Sequence, residues 1–169
     1  MHSHNIVHRD LKHLNIFLSD YGPTPKVRIG DFGMAAYLKN DQCIKKVAGT
    51  IGFMAPEVVL NQHSDFKADI WSLGIILYAL ICSKVPFYGA TKTETGEKIV
   101  NQPLSFDLPV WDSVSDECKS LIKRMLDKDQ NTRMTINEVL AHLWVNKGSI
   151  DRSKVAQDNS KYLINAPTQ

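Results

Sequence analysis

Asp10, Lys12 and Asn15 fall within one short stretch, His8-Arg9-Asp10-Leu11-Lys12-His13-Leu14-Asn15, and together offer a carboxylate, an ammonium and an amide oxygen. A hydroxyl attacking a phosphate needs a carboxylate to orient it and take its proton, a cation on the transferring phosphoryl group, and oxygen ligands for Mg²⁺. The stretch supplies one of each. A second carboxylate follows at Gly30-Asp31-Phe32-Gly33. Asn15 and Asp31 would make an oxygen pair suited to a hard cation that keeps several waters. Gly33 is expected to permit an unusual backbone angle beside that carboxylate. A third segment, Gly49-Thr50-Ile51-Gly52-Phe53-Met54-Ala55-Pro56-Glu57, comes later in the chain. Each segment alone reads as an ordinary charged loop or turn. Their order and separation give them weight.

These residues need elements to hold them. Residues 14–18 and 25–29 are short extended candidates separated by Ser19-Asp20-Tyr21-Gly22-Pro23, a cluster of turn formers. The resulting hairpin would bring Asn15 and Asp31 to the same open end. From Ser64 to Ser83 the pattern becomes helical, with Ile70, Leu73, Leu77 and Leu80 on one face and Trp71, Ile75, Tyr78 and Cys82 on another. A helix apolar nearly all round is expected to be buried all round. Ser115 followed by Asp116 and Glu117 predicts a capped helix start ahead of Leu121, Ile122, Met125 and Leu126. Thr135 and Glu138 have capping-box spacing ahead of Val139, Leu140 and Leu143. After Trp144 the sequence turns polar and aperiodic, as a linker or frayed tail would.

With 169 residues, 43% apolar content and 22% charged content, the chain has the composition of one globular domain. A net charge of +2 gives no concentrated basic face, so neither a nucleic-acid nor a membrane partner is expected. Cys43, Cys82 and Cys118 are odd in number and lack metal-ligand spacing, which suits reduced thiols in a cytoplasmic, intracellular setting. The run Ile70 to Cys82 is shorter than the ~20 residues a bilayer demands, so it predicts a core helix. His2, His4, His8 and His13 have no cysteine or carboxylate set to complete a metal geometry. Lys39, Lys45 and Lys46 read as solvated loop charges, and no Asp-x-Asp-x-Asp-Gly calcium loop occurs.

The His-Arg-Asp loop, the Asp-Phe-Gly turn and the Ala-Pro-Glu segment make residues 1 to about 145 similar to the eukaryotic protein kinases. Lys12 and Gly49-Thr50 resemble the serine/threonine class. Asp69-Ile-Trp-Ser-Leu-Gly74, Val85-Pro-Phe-Tyr-Gly89 and Phe106-Asp-Leu-Pro-Val-Trp111 look most like the calcium/calmodulin-dependent and calcium-dependent branch. The resemblance implies the C-terminal, larger lobe of the bilobal kinase fold, mainly α with a small β-hairpin, with the N-lobe absent from these residues. It divides the chain into a kinase portion at 1–145 and a polar tail at 146–169. The implied activity is transfer of the ATP γ-phosphate to protein Ser or Thr hydroxyls. Asp10 would be the base, Lys12 would contact the γ-phosphate, Asn15 and Asp31 would hold Mg²⁺, and Thr50 would contact Asp10 and Lys12. Asp69 would bond the backbone of the catalytic loop, His8 and Phe32 would stack, and Glu57 would form a buried ion pair with Arg133.

Departures from the family pattern carry further expectations. No Gly-x-Gly-x-x-Gly loop, strand lysine or partner glutamate occurs in the 169 residues, so by themselves they are expected to transfer phosphate poorly and to expose apolar surface where the other lobe would pack. A non-catalytic, pseudokinase-like binding module is the alternative. Where many relatives that favour basic substrates carry glutamates, this chain has Leu14 and Ala79. Lys46 occupies the position of a usual activating phosphosite, and no Ser, Thr or Tyr lies between Leu38 and Gly49. Control is therefore expected from flanking segments or a regulatory partner. Calmodulin is a candidate partner through Lys147, Arg152, Lys154 and Lys161, although the apolar positions there lack helical spacing.

Overall fold

The computed structural model describes residues 1–19, 25–38, 44 and 47–148. Residues 20–24, which hold most of the turn formers, Lys39, Cys43, Lys45, Lys46 and the stretch 149–169 lie outside them. Four short strands precede the helices. β1 (Ile6–Val7) pairs antiparallel with β4 (Ala36–Tyr37), and β2 (Ile16–Leu18) pairs antiparallel with β3 (Val27–Ile29). The second pair is the expected hairpin, shorter at its open end than the sequence suggested. Asn15 N–H donates to the Lys12 carbonyl at 3.0 Å, which winds His13–Asn15 into a single 3₁₀ turn where an extended start was expected. The pairing of β1 with β4 was not foreseen, since two-residue strands are too short to show a period.

The helices are α1 (Pro56–Val59), α2 (Lys67–Cys82), α3 (Lys92–Asn101), α4 (Asp116–Met125), α5 (Ile136–Ala141) and α6 (Leu143–Gly148). Helix α2 is the pillar. It buries Ile70, Trp71, Ile75, Ile76 and Tyr78, each worth roughly 1.5–3 kcal/mol for an aliphatic or aromatic side chain removed from water. Trp71 stacks on Phe87 at 5.6 Å, and Tyr78 packs on Trp111 at 4.7 Å. Gly74 lets α4 approach closely, because a β-carbon there would stand 2.9 Å from Leu126 and 3.0 Å from Met125. Burial all round holds for the first three turns only. Leu80 is 74% exposed in the last turn, while Ile81 and Cys82 beside it still pack on the core, before Ser83 ends the helix in the left-handed region.

Local capping explains the other boundaries. The Ser115 hydroxyl accepts from Cys118 N–H to start α4, and Thr135 with Glu138 forms the reciprocal capping box that starts α5. Thr91 caps α3 in the same way, accepting from Glu94 N–H. Helix α6 runs into the stretch read as tail, ending at Gly148. Among the described residues, no helix is long and apolar enough to cross a membrane.

Candidate active site

The loop between β1 and β2 carries the site, and α2 holds that loop from beneath. Asp69, 1% exposed, accepts hydrogen bonds from His8 N–H at 2.8 Å and Arg9 N–H at 2.9 Å. Those bonds hold Arg9 in the left-handed region, φ 67°, a conformation that persists only where the surroundings impose it. The bend turns Asp10 toward Thr50.

Three side chains then close on one another. Lys12 Nζ donates to Asp10 Oδ2 at 2.8 Å and to Thr50 Oγ1 at 3.0 Å, while Thr50 Oγ1 donates to Asp10 Oδ1 at 2.8 Å. Asn15 donates its amide to the Asp10 carbonyl at 2.8 Å from a buried position. Burial pushes the Asp10 pKa up, but the hydrogen bonds from Lys12 and Thr50 and the charge of Lys12 outweigh it, so the carboxyl sits below its ordinary value. Asp10 is thus held ionised with both oxygens occupied by donors. Gly49, at φ 114°, delivers Thr50 to this contact, and a β-carbon there would lie 2.4 Å from the Arg9 carbonyl oxygen.

Asp31 arrives through the hairpin. The register sets Ile16 opposite Ile29, and Gly30 N–H donates to the Asn15 carbonyl at 2.9 Å, so Asn15 and Asp31 reach the same end. The Asp31 carboxylate is exposed and accepts from Gly33 N–H at 3.3 Å. The unusual backbone angle falls on Asp31, φ 57°, rather than on Gly33. The turn that Asp31 caps accounts for the change, because its side chain stabilises its own left-handed conformation. His8, fully buried, faces the Gly30 carbonyl through Nε2 at 3.0 Å and packs against the Phe32 ring at 5.1 Å.

Behind the loop, Arg133 donates to both oxygens of Glu57 at 2.7 and 2.8 Å, and also to the carbonyls of Lys67 and Asp127 at 3.1 and 2.8 Å. Its guanidinium lies 5.1 Å from the Trp71 ring.

One participant escaped sequence reasoning. His2, read only as part of a histidine cluster, meets Asp69 Oδ2 through Nε2 at 2.8 Å and packs on Phe66 at 5.1 Å. It thereby supports the carboxylate that shapes the catalytic bend. Its distance of 67 positions from Asp69 leaves no periodic or spacing signal that could have paired them.

The family model for the protein kinase domain matches residues 1–145. Among curated proteins, a CDPK-related protein kinase of Daucus carota is 38% identical over 144 residues, covering 85% of this chain and 24% of the relative. The serine/threonine-protein kinase PEPKR2 of Arabidopsis thaliana is 39% identical over 144 residues, covering 85% of this chain and 30% of the relative. Calcium-dependent protein kinase 24 of Arabidopsis thaliana is 36% identical over 165 residues, covering 92% and 28% respectively. The chain therefore spans under a third of the length of these relatives. It belongs to the protein kinase domain family, with serine/threonine kinases of the calcium-dependent branch among its relatives.

Proposed function

We propose that these residues form the C-terminal lobe of a protein serine/threonine kinase, and that the loop around Asp10 directs transfer of the ATP γ-phosphate to a Ser or Thr hydroxyl of a protein substrate. The observation that carries this reading is the Asp10 carboxylate held ionised between the Lys12 ammonium and the Thr50 hydroxyl. An ionised carboxylate can accept the hydrogen bond of an incoming hydroxyl and take its proton at Oδ. An ammonium has three donors. Two of those on Lys12 face Asp10 and Thr50, which leaves one for a phosphate oxygen.

The donor set also fits Mg²⁺. Asp31 contributes an exposed carboxylate, and Asn15, with its amide nitrogen on Asp10, contributes an amide oxygen at the same end of the hairpin. A hard cation bound through one carboxylate, phosphate oxygens and waters would neutralise phosphate charge there. Asn15 and Asp31 would hold that ion, while Lys12 would contact the nucleotide. The intact trio of Asp10, Asn15 and Asp31 argues against a purely non-catalytic binding role.

Asp10→Asn in the complete kinase tests the proposal. Phosphate transfer to a Ser/Thr substrate should fall by about 10²–10⁴-fold, the usual worth of a positioned base, while ATP binding persists. Unchanged turnover would overturn it.

A further inference from the structure

Lys128, in the loop between α4 and α5, folds its amine back onto the end of another helix. Nζ donates to the carbonyls of Lys98, at 3.4 Å, and of Ile99, both in the last turns of α3, and lies 4.3 Å from the centre of the Phe87 ring. Carbonyls at a helix C-terminus lack partners within the helix, and a cation satisfies them. One side chain thus joins the end of α3, the segment between α2 and α3, and the loop before α5.

That amine has no carboxylate. Among the described residues no ion pair includes Lys128. Asp127 accepts from Asp129 N–H and the Thr132 hydroxyl, Asp129 accepts from Asn131, Glu94 pairs with Lys98, and Glu57 is held by Arg133. Burial without a counter-charge lowers the Lys128 pKa to about 8. The folded value lies below the ordinary 10.5, so the buried charge weakens the fold below about pH 8, and stability rises as pH climbs from there toward 10.5. The residue also borders a polar pocket of about 420 Å³ with Gln62, His63 and Asn131, where a lysine could reach water. Its N–H donors, rather than its charge, hold it inward on α3.

What those donors fix is a wall of the site. Helix α3 packs on the 3₁₀ turn Ile51–Phe53, and the fully buried Ile99 shares one core with Phe53. The turn starts at Thr50, whose carbonyl accepts from Phe53 N–H at 2.9 Å and whose hydroxyl donates to Asp10. Resting on the function proposed above, we infer that Lys128 is a positioning residue: by fixing the end of α3 it seats the Ile51–Phe53 turn and so holds the Thr50 hydroxyl on Asp10. A close-packed core passes a shift at Ile99 to its neighbours instead of absorbing it.

The test is Lys128→Met in the complete kinase that contains these residues, which keeps an apolar stem and removes the N–H donors. With folding verified by a cooperative thermal transition, kcat should fall by about tenfold or more while the KM for ATP is unchanged. The Asp10 carboxyl should titrate higher than in the wild type, in the direction expected for loss of the Thr50 donor, which a merely structural role would not produce. An Asp10 titration identical to the wild type would overturn the inference, whatever the turnover. In the wild-type kinase, a Lys128 amine that titrates at the ordinary 10.5 by nitrogen-15 NMR would place it in water and overturn the inference as well. Either result leaves the proposed function standing, whereas transfer that survives Asp10→Asn overturns that function and this inference with it.

Discussion

Asp10 keeps its charge against burial because Lys12 and Thr50 both donate to it, and that balance can be read by titration. Its folded pKa lies below the ordinary value of 3.8, so the stabilisation it gives is present above the unfolded value and is lost as pH falls through the folded one. Thr50→Ala removes one of the two donors. The Asp10 carboxyl should then titrate higher, toward 3.8, in a carbon-13 carboxyl NMR titration; an identical titration in the two proteins would count against the arrangement. The same contact sets what Thr50 can be. Its hydroxyl lies 2.8 Å from Asp10 Oδ1, so a phosphate there would bring a charge of about −1.5 to −2 against a carboxylate. We expect Thr50 phosphorylation, or Thr50→Glu, to lower activity of the complete kinase by about 10²-fold or more, the scale of losing the base. Phosphosite mapping that found stoichiometric, activating phosphate on Thr50 would contradict this. Lys46, on which the expectation of external control also rests, lies outside the described residues.

Among the ion pairs of the described residues, the one between the start of α1 and the loop before α5 has both partners most fully removed from water. Glu57 and Arg133 are almost wholly buried, and the arginine is bound by one carboxylate and two carbonyls. Removing one partner strands the other without water. Arg133→Ala should therefore destabilise the fold by about 3–5 kcal/mol in chemical denaturation, whereas a loss below about 1 kcal/mol would show that water reaches Glu57. Capping illustrates what elements reveal in sequence. Ser115 and Thr135 sit directly before apolar periodic runs, and both helices start where those residues indicate. The hairpin was legible from its turn formers, but its open end was not, because the turn at His13–Asn15 is set by a bond to Lys12 rather than by strand propensity.

Across the whole molecule, exposed apolar side chains recur on the hairpin and on the turn that follows it. Phe17, Leu18, Val27, Ile29, Phe32 and Met34 are all exposed, and Leu11, Ile16, Ile70, Leu73 and Leu140 line an apolar groove of about 380 Å³ on the same body. Apolar side chains left exposed on both strands of a hairpin suit an interface. If these residues are the C-terminal lobe proposed above, residues 1–169 alone should bind a hydrophobic dye strongly and transfer phosphate far below the ~1–100 s⁻¹ typical of kinases, and a kinase N-terminal lobe added to them should suppress the dye signal. Turnover in that range from residues 1–169 alone would refute the expectation.

The sequence by itself determined which groups the chain offers, since Asp10, Lys12, Asn15 and Asp31, the group types that the proposed phosphoryl transfer needs, lie in short motifs whose members are close along the chain. It also determined the pillar helix, because a run apolar on every face can only be a core element or a membrane span, and this one is too short to span. The tertiary structure decided everything that depends on long separation. Thr50 reaches Asp10 across 40 positions, Arg133 reaches Glu57 across 76, and His2 reaches Asp69 across 67. The family resemblance implied the first two, but His2 was read only as one of a histidine cluster without a metal geometry. Local propensity and periodicity act over a turn or a strand pair; which distant side chains complete a buried carboxylate is fixed only when packing has brought them together and removed the water that would otherwise serve as partner.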